Sequence, residues 1–324
     1  MTSSQKLLSL VVPTLNRRGL LEITLNSLLI DIKGFESDVE FVVVNNASED
    51  HTIEFLNEWS IGKPVRIASF DKRVNIDESF QRCVDITTGR FINIFGDDDL
   101  PIPGFISRTI DLIKKSPDVD IFYYNRLIGD INLDEIGELA HPKFGVGDER
   151  YPIAVFIARF THWPGFISSL IFSREAWISG EAFYSDDYIG YKFLARIYAG
   201  CAGKQCIYAG IPALIQRRGK QVWKKEWPRY WLVNMPKLLN DLDHAGITND
   251  ALNSWSKNEV TTKRLAIDCL VAKAYDYSVS DIFWTEAAKF QPAFRRTLLK
   301  AVQFLLPTTI AKIMYFSGGK YGSK

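Results

Sequence analysis

Asp97, Asp98 and Asp99 are the residues of this 324-residue chain whose type and spacing point most directly to chemistry. Three adjacent carboxylates repel one another unless a cation neutralises them. Hard oxygen donors of this kind suit Mg²⁺ or Mn²⁺, ions that share their shell with substrate phosphates. In an extended segment alternate side chains point the same way, so Asp97 and Asp99 face one side. The competing reading is a solvated acidic loop in which Asp99 favours the N-terminus of the next helix. Two other polar segments stand out: Pro13-Thr14-Leu15-Asn16-Arg17-Arg18 and Asn45-Asn46, the second of which equally fits an Asx turn.

The elements that must hold these segments are legible as alternating patterns. Leu7 to Leu15 is a short apolar run suited to a strand buried on both faces. Leu21, Leu25, Leu28 and Ile32 recur at helical spacing. Strands are predicted at Val39 to Val44, Val65 to Phe70, Arg90 to Phe95 and Val119 to Tyr124, with helices at Thr52 to Trp59, Asp77 to Thr87 and Pro103 to Lys115. Such alternation predicts an α/β fold, a mostly parallel sheet covered on both faces by helices. In such sheets ligands bind outside the carboxyl ends of the strands, which is where all three polar segments fall. From Arg126 to Pro152, Gly129, Gly137, Gly145 and Gly147 interrupt a polar stretch that reads as a long loop or small insertion. A helix at Ile153 to Phe160, a strand at Phe166 to Phe172, a helix at Asp187 to Ala199 and a strand at Cys206 to Ile215 follow. Beyond about Gln221 the pattern turns helical and aromatic.

Composition narrows the function class. The chain is 47% hydrophobic and 24% charged with a formal net charge of +1, so it carries no electrostatic bias toward nucleic acid. Cys83, Cys201, Cys206 and Cys269 lack metal-binding spacing and read as buried thiols of a reducing compartment. No apolar run reaches the roughly 18 residues needed to span a bilayer, and no signal-peptide pattern opens the chain. The expectation is a cytoplasmic protein, soluble or at the cytoplasmic face of a membrane. Trp223, Trp227, Trp231, Trp255 and Trp284 could stack on sugar rings, but core filling is the commoner use.

Together these stretches resemble a known family. SLVVPTLNRRGLLEITLNSLL resembles the opening of the family 2 glycosyltransferases of the GT-A fold. VEFVVVNNASEDHT is similar to their VVDNASTD-type segment, and TTGRFINIFGDDDLPIPGF to their metal-binding strand and loop. The resemblance covers about residues 7–220, most strongly 7–125, and is nearest to bacterial surface-polysaccharide enzymes of the abequosyltransferase-like type. It implies a GT-A catalytic domain over 1–220, with a nucleotide-sugar half to about 125 and an acceptor half from 126, followed by a helical region over 221–324.

The resemblance also implies residue roles. Pro13, Thr14 and Asn16 line the nucleotide pocket and Arg18 approaches the diphosphate. Asp97 and Asp99 hold Mn²⁺ or Mg²⁺, with Asp98 beside them at the donor. Asn45 stands where the family has an Asp at the base. Asn offers a donor as well as an acceptor, which leaves CDP-sugars open beside UDP-sugars. Asp77 is either near the base or ribose or an ordinary helix N-cap. Asp187 aligns with the catalytic base of an inverting transfer and Asp186 with the acid before it; the plain alternative is an acidic helix N-terminus. Trp163, Gly165 and Ser168 fall in an acceptor-site segment, with His162 beside them. Arg217 or Arg218 could neutralise the departing diphosphate. The implied activity is sugar transfer from a nucleoside diphosphate to a glycan acceptor, lipid-linked, in O-antigen or surface-polysaccharide synthesis. The rivals are a non-catalytic nucleotide- or carbohydrate-binding protein of the same fold and a sugar nucleotidyltransferase. At the C-terminal end, Phe294 to Leu306 gathers Arg296, Lys300 and Gln303 on one side of a helical projection. Such a helix either lies on an anionic membrane or packs on the protein with its cations outward.

Overall fold

Four short segments form the parallel half of one sheet: β1 (Leu8–Thr14), β2 (Val39–Asn45), β3 (Arg66–Ser69) and β4 (Phe91–Ile94). In this computed structural model, residues 5–218, 226, 229–247, 250–259, 262–277, 279, 283–288 and 291–317 are described. β1 pairs in parallel with β2 and β4, and β2 with β3. Thr14 is level with Asn45, and Asn45 with Ser69, so these strands end on one rim. The largely apolar character of β1, β2 and β4 follows from burial on both faces. Leu21, Leu25, Leu28 and Ile32 of α1 (Arg18–Ile32) share one apolar cluster with Ile106, Ile110 and Ile113 of α4 (Phe105–Lys115) and with Leu10, Val12 and Phe41 of the sheet. Each fully buried Leu or Ile contributes roughly 1.5–3 kcal/mol. Between these helices in the chain come α2 (Thr52–Trp59) and α3 (Ile76–Asp85).

The rest of the sheet is mixed. Its other strands are β5 (Leu100–Pro101), β6 (Val119–Gly129), β7 (Ile136–Leu139), β8 (Asp148–Pro152), β9 (Leu170–Ser173) and β10 (Gln205–Arg217). The strand order is β3-β2-β1-β4-β9-β6-β10-β5, with β7 on β6 and β8 on β10. β9 runs antiparallel to both β4 and β6, whereas β6 and β10 are parallel. β5 pairs antiparallel with β10 through Leu214 and Ile215. The acidic triplet therefore lies in the link between β4 and β5, beside the carboxyl end of β10.

Three expectations are corrected. The stretch 126–152 is no plain loop, since it holds the end of β6 and the strands β7 and β8. β7 and β8 are polar and largely exposed, so neither shows the apolar alternation that marks a half-buried strand. Of Phe166 to Phe172, only the part from Leu170 is strand, and a 3₁₀ turn at Ile167–Ser169 precedes it. Asp187 does not open an α-helix. It lies in a 3₁₀ turn at Asp186–Tyr188, and α7 (Lys192–Gly200) begins after Gly190, whose φ of 82° is left-handed and breaks the helix. Two further helices are α5 (Ile153–Phe160) and α6 (Arg174–Ser179).

The chain divides into two compact units. The first comprises Met1–Ile153, Trp163–Ala182 and Arg196–Lys220 and contains the sheet. The second comprises Ala154–His162, Phe183–Ala195 and Gln221–Lys324, so it takes in two segments from before residue 221. Its helices include α8 (Met235–Asp241), α9 (Ala251–Glu259), α10 (Thr262–Ala274), α11 (Ala293–Leu305) and α12 (Thr308–Ser317). Trp231, Trp255 and Trp284 are buried here, with Trp231 and Trp255 ring centroids 5.1 Å apart. These three serve as core. Trp223 and Trp227 lie outside the described residues. All four cysteines are buried and free.

Candidate active site

The site of the first unit is built on the carboxyl rim of β1, β2 and β4. β4 delivers the chain to Gly96, where an added Cβ would sit 2.9 Å from Asp99 Oδ2 and 3.1 Å from Ser168 Oγ. A side chain at Gly96 would push the Asp99 carboxylate and the Ser168 hydroxyl aside. The loop backbone is held from α1, where the Thr24 hydroxyl donates to the carbonyls of Asp99 (2.8 Å) and Asp97 (3.2 Å). From β10, the Arg217 Nε donates to the carbonyl of Asp98 at 2.9 Å and Nη1 to that of Ile131 at 2.6 Å.

The three carboxylates differ in surroundings. Asp97 is buried; its Oδ2 accepts from the Thr14 hydroxyl at 2.8 Å and its Oδ1 from Arg17 Nη1 at 3.0 Å. Asp98 is half-buried and accepts from the same Arg17 nitrogen at 2.8 Å. Asp99 is buried, with Oδ2 taking the Ser168 hydroxyl at 2.5 Å and Oδ1 the Arg217 backbone N–H at 3.3 Å. Desolvation pushes the Asp97 carboxyl up to about 6 against the pull of Arg17. Desolvation, then the charge of Asp98, push Asp99 up to about 7 against its hydrogen bonds. Buried carboxylates held this high are short of positive charge.

The donor set fits a divalent cation. It consists of oxygens alone and two of its carboxylates are buried, while Arg217 Nη2, buried without a hydrogen-bond partner among the described residues, is a donor for an anion that such a cation would accompany. Among the described residues no three acidic, His or Cys side chains form a preformed metal cage. A cation here therefore needs oxygens from a ligand as well, the usual habit of Mg²⁺ beside phosphates.

The structure places the other expected residues as follows. Pro13 is half-buried near the end of β1. Asn16 is exposed in a left-handed turn (φ 54°), bonded to Ser48 Oγ and the Glu49 N–H. Arg18 lies over the Phe55 ring at 5.5 Å, whereas Arg17 reaches the acidic triplet. Asn45 is buried, its Oδ1 accepting from the Ser48 N–H three residues on at 3.1 Å while its Nδ2 donates to Ser69 Oγ. Asp77 is buried in the first turn of α3 but is not its cap; Asn75 fills that place, accepting from the Glu78 N–H at 2.9 Å. Arg218 is exposed. Gly165 closes a short 3₁₀ turn with Trp163, and Ser168 is turned inward onto Asp99.

Trp163 packs edge-on against the buried His141 ring at 4.6 Å. His141 Nε2 meets the Tyr123 hydroxyl and Arg126, whose guanidinium lies 4.1 Å over Phe166. Arg126 and His141 are residues the sequence reading missed. The available signal was a cation directly following the apolar run VDIFYYN. Arg17 was missed because the choice between adjacent arginines depends on the backbone turn at Asn16.

In the second unit, Asp186 and Asp187 are exposed. Lys192 hydrogen-bonds Asp186 and holds its carboxyl below the ordinary range. Lys237 lies 3.6 Å from Asp187 and 2.7 Å from Asp241. His162 packs edge-on against Trp231 at 4.5 Å.

Residues 9–167 match the family described as glycosyl transferase family 2. Abequosyltransferase RfbV of Salmonella typhimurium (strain LT2) is 26% identical over 235 residues, 68% of this chain and 69% of that protein. The crystal structure of S. aureus TarS 1-349 in complex with UDP-GlcNAc aligns with a TM-score of 0.59 at 12% identity, covering 97% of this chain and 93% of that one. TarS 1-349 in complex with UDP aligns with a TM-score of 0.56 at 10% identity, with the same coverage of 97% and 93%. At such identities the likeness is one of fold, a GT-A-like sheet flanked by helices with further helices at the C-terminal end.

Proposed function

Because this chain belongs to glycosyl transferase family 2, we propose that it moves a sugar from a nucleoside diphosphate of the UDP or CDP class to a hydroxyl of a lipid-linked glycan in surface-polysaccharide assembly. The observation that carries this reading is the buried pair Asp97 and Asp99 set beside the spare N–H of Arg217. Asp97 and Asp99 would hold Mn²⁺ or Mg²⁺, which supplies charge neutralisation to the diphosphate leaving group. Arg217 Nη2 donates to a diphosphate oxygen, and Arg17 exchanges part of its carboxylate pairing for the same anion. Pro13 and Thr14 flank the nucleoside at the rim.

In the transfer, the acceptor oxygen forms a bond to the anomeric carbon as the carbon–oxygen bond to the diphosphate breaks. The diphosphate leaves with the electron pair, and the acceptor proton passes to the Asp187 carboxylate. Attack opposite the leaving group inverts the anomeric centre. Lys192 holds the proton affinity of Asp186 down, which disfavours Asp186 as the base. Asn45 supports no choice between uracil and cytosine, because its acceptor and one donor are engaged within the protein. Binding and hydrolysis of UDP-, CDP-, GDP- and dTDP-sugars, with Mn²⁺ and with EDTA, test the proposal. Turnover of a UDP- or CDP-sugar that EDTA abolishes is expected. Turnover indifferent to EDTA would remove the metal, and no binding of any donor would remove the transferase reading.

A further inference from the structure

Helix α11 turns its apolar side outward. Leu299 and Gln303 face inward, and Gln303 donates to the Cys269 carbonyl of α10. The opposite side presents Phe294, Leu298 and Leu305, which are 69%, 61% and 78% exposed. These positions fall within about 40° of one another on a helical projection of 100° per residue. Phe304 beside them is 75% exposed, and Ile313 and Met314 of α12 are exposed as well. Isolated exposed hydrophobes need no explanation, but a continuous set on one helix side marks a contact surface.

The charged residues of these two helices have one sign. Arg295 lies to one side of the apolar stripe and Lys300 to the other, both exposed, with Lys312 exposed on α12. No Asp or Glu follows Glu286 in the chain. A second copy docking through the same face would bring these like charges together. An anionic surface complements them. α11 and α12 meet at a bend of 113°, and no single helix among the described residues is long and apolar enough to cross a bilayer. The pair suits lying in an interface.

We propose that the outer face of α11 and α12 docks on an anionic phospholipid bilayer, apolar side chains among the acyl-chain ends and cations at the headgroups. This inference does not depend on the transfer chemistry, and its readout is not activity. The full chain is sedimented with sucrose-loaded vesicles of phosphatidylglycerol and phosphatidylethanolamine, or of phosphatidylcholine alone. At least tenfold stronger binding to the anionic vesicles is expected, weakening as salt screens the charges. L298S/L305S should lower binding about tenfold. R295Q/K300Q/K312Q should reduce the anionic preference toward the neutral level, each cation contributing roughly fivefold. These side chains are exposed, and an unchanged thermal melt confirms folding. Equal or absent binding to both vesicle types overturns the proposal. So does a wild-type dimer that L298S/L305S dissociates without any change in vesicle binding.

Discussion

The two acidic clusters of this protein have the same composition and opposite surroundings. Asp97 and Asp99 are buried, bonded to Thr14, Arg17, Ser168 and Arg217, and pushed up in pKa by desolvation. Asp186 and Asp187 stand in solvent, each beside a lysine. The difference teaches what each can do. A carboxylate short of positive charge attracts a cation and an anion that brings one; an exposed carboxylate is free to meet a hydroxyl and release its proton to water.

The sharpest way to break this contrast is D187N. Loss of a general base should lower kcat by about 10²- to 10⁴-fold while donor affinity is unchanged, measured by steady-state kinetics and calorimetry. D99N should act in the opposite sense. Losing a buried charge at the leaving group costs about 10²- to 10³-fold in kcat/KM, and donor affinity in Mn²⁺ falls with it. If D187N weakened donor binding and D99N did not, the two assignments would have to be exchanged.

How far the contrast was legible depended on what each cluster needs. The triplet lies directly after a buried strand in a regular strand–helix alternation, so its place on the rim followed from periodicity. Its partners did not. Which of Arg17 and Arg18 turns inward depends on the left-handed backbone at Asn16, and Ser168 reaches Asp99 through a 3₁₀ turn inside an apolar run that reads as strand. Asp187 was expected at a helix start because the apolar spacing of α7 continues backwards past Tyr191 in the sequence. Gly190 stops the helix, and a lone glycine in a helical pattern does not declare a left-handed φ.

Stability should separate the clusters too. For Asp97 and Asp99 the folded pKa lies above the unfolded value of about 3.9. The folded state therefore binds more protons between pH 4 and 7, and stability falls as pH rises through about 6 to 7. Metal-free protein should lose a few kcal/mol from this pair between pH 5 and pH 8, since a full proton of difference between folded and unfolded states costs about 1.4 kcal/mol for every pH unit crossed. D99N should flatten the slope in urea melts and be more stable than wild type at pH 8. A smaller effect is expected of R17A, about tenfold weaker donor binding with increased salt sensitivity, read by calorimetry. Smallest is D186N, within about twofold in kcat, since an exposed ion pair contributes little.

The separation in sequence of the partners of Asp99 bears on how the protein is made. Its side chain is satisfied by Ser168, 69 residues later, and by Arg217, 118 residues later. β9, which lies between β4 and β6, is likewise supplied late. On the ribosome the first four strands can pair while the acidic loop still lacks its anchors. The nascent chain can thus acquire much of its sheet before its acidic loop is anchored, and premature termination short of Arg217 would leave Asp99 without the Arg217 N–H and the Asp98 carbonyl without the Arg217 guanidinium.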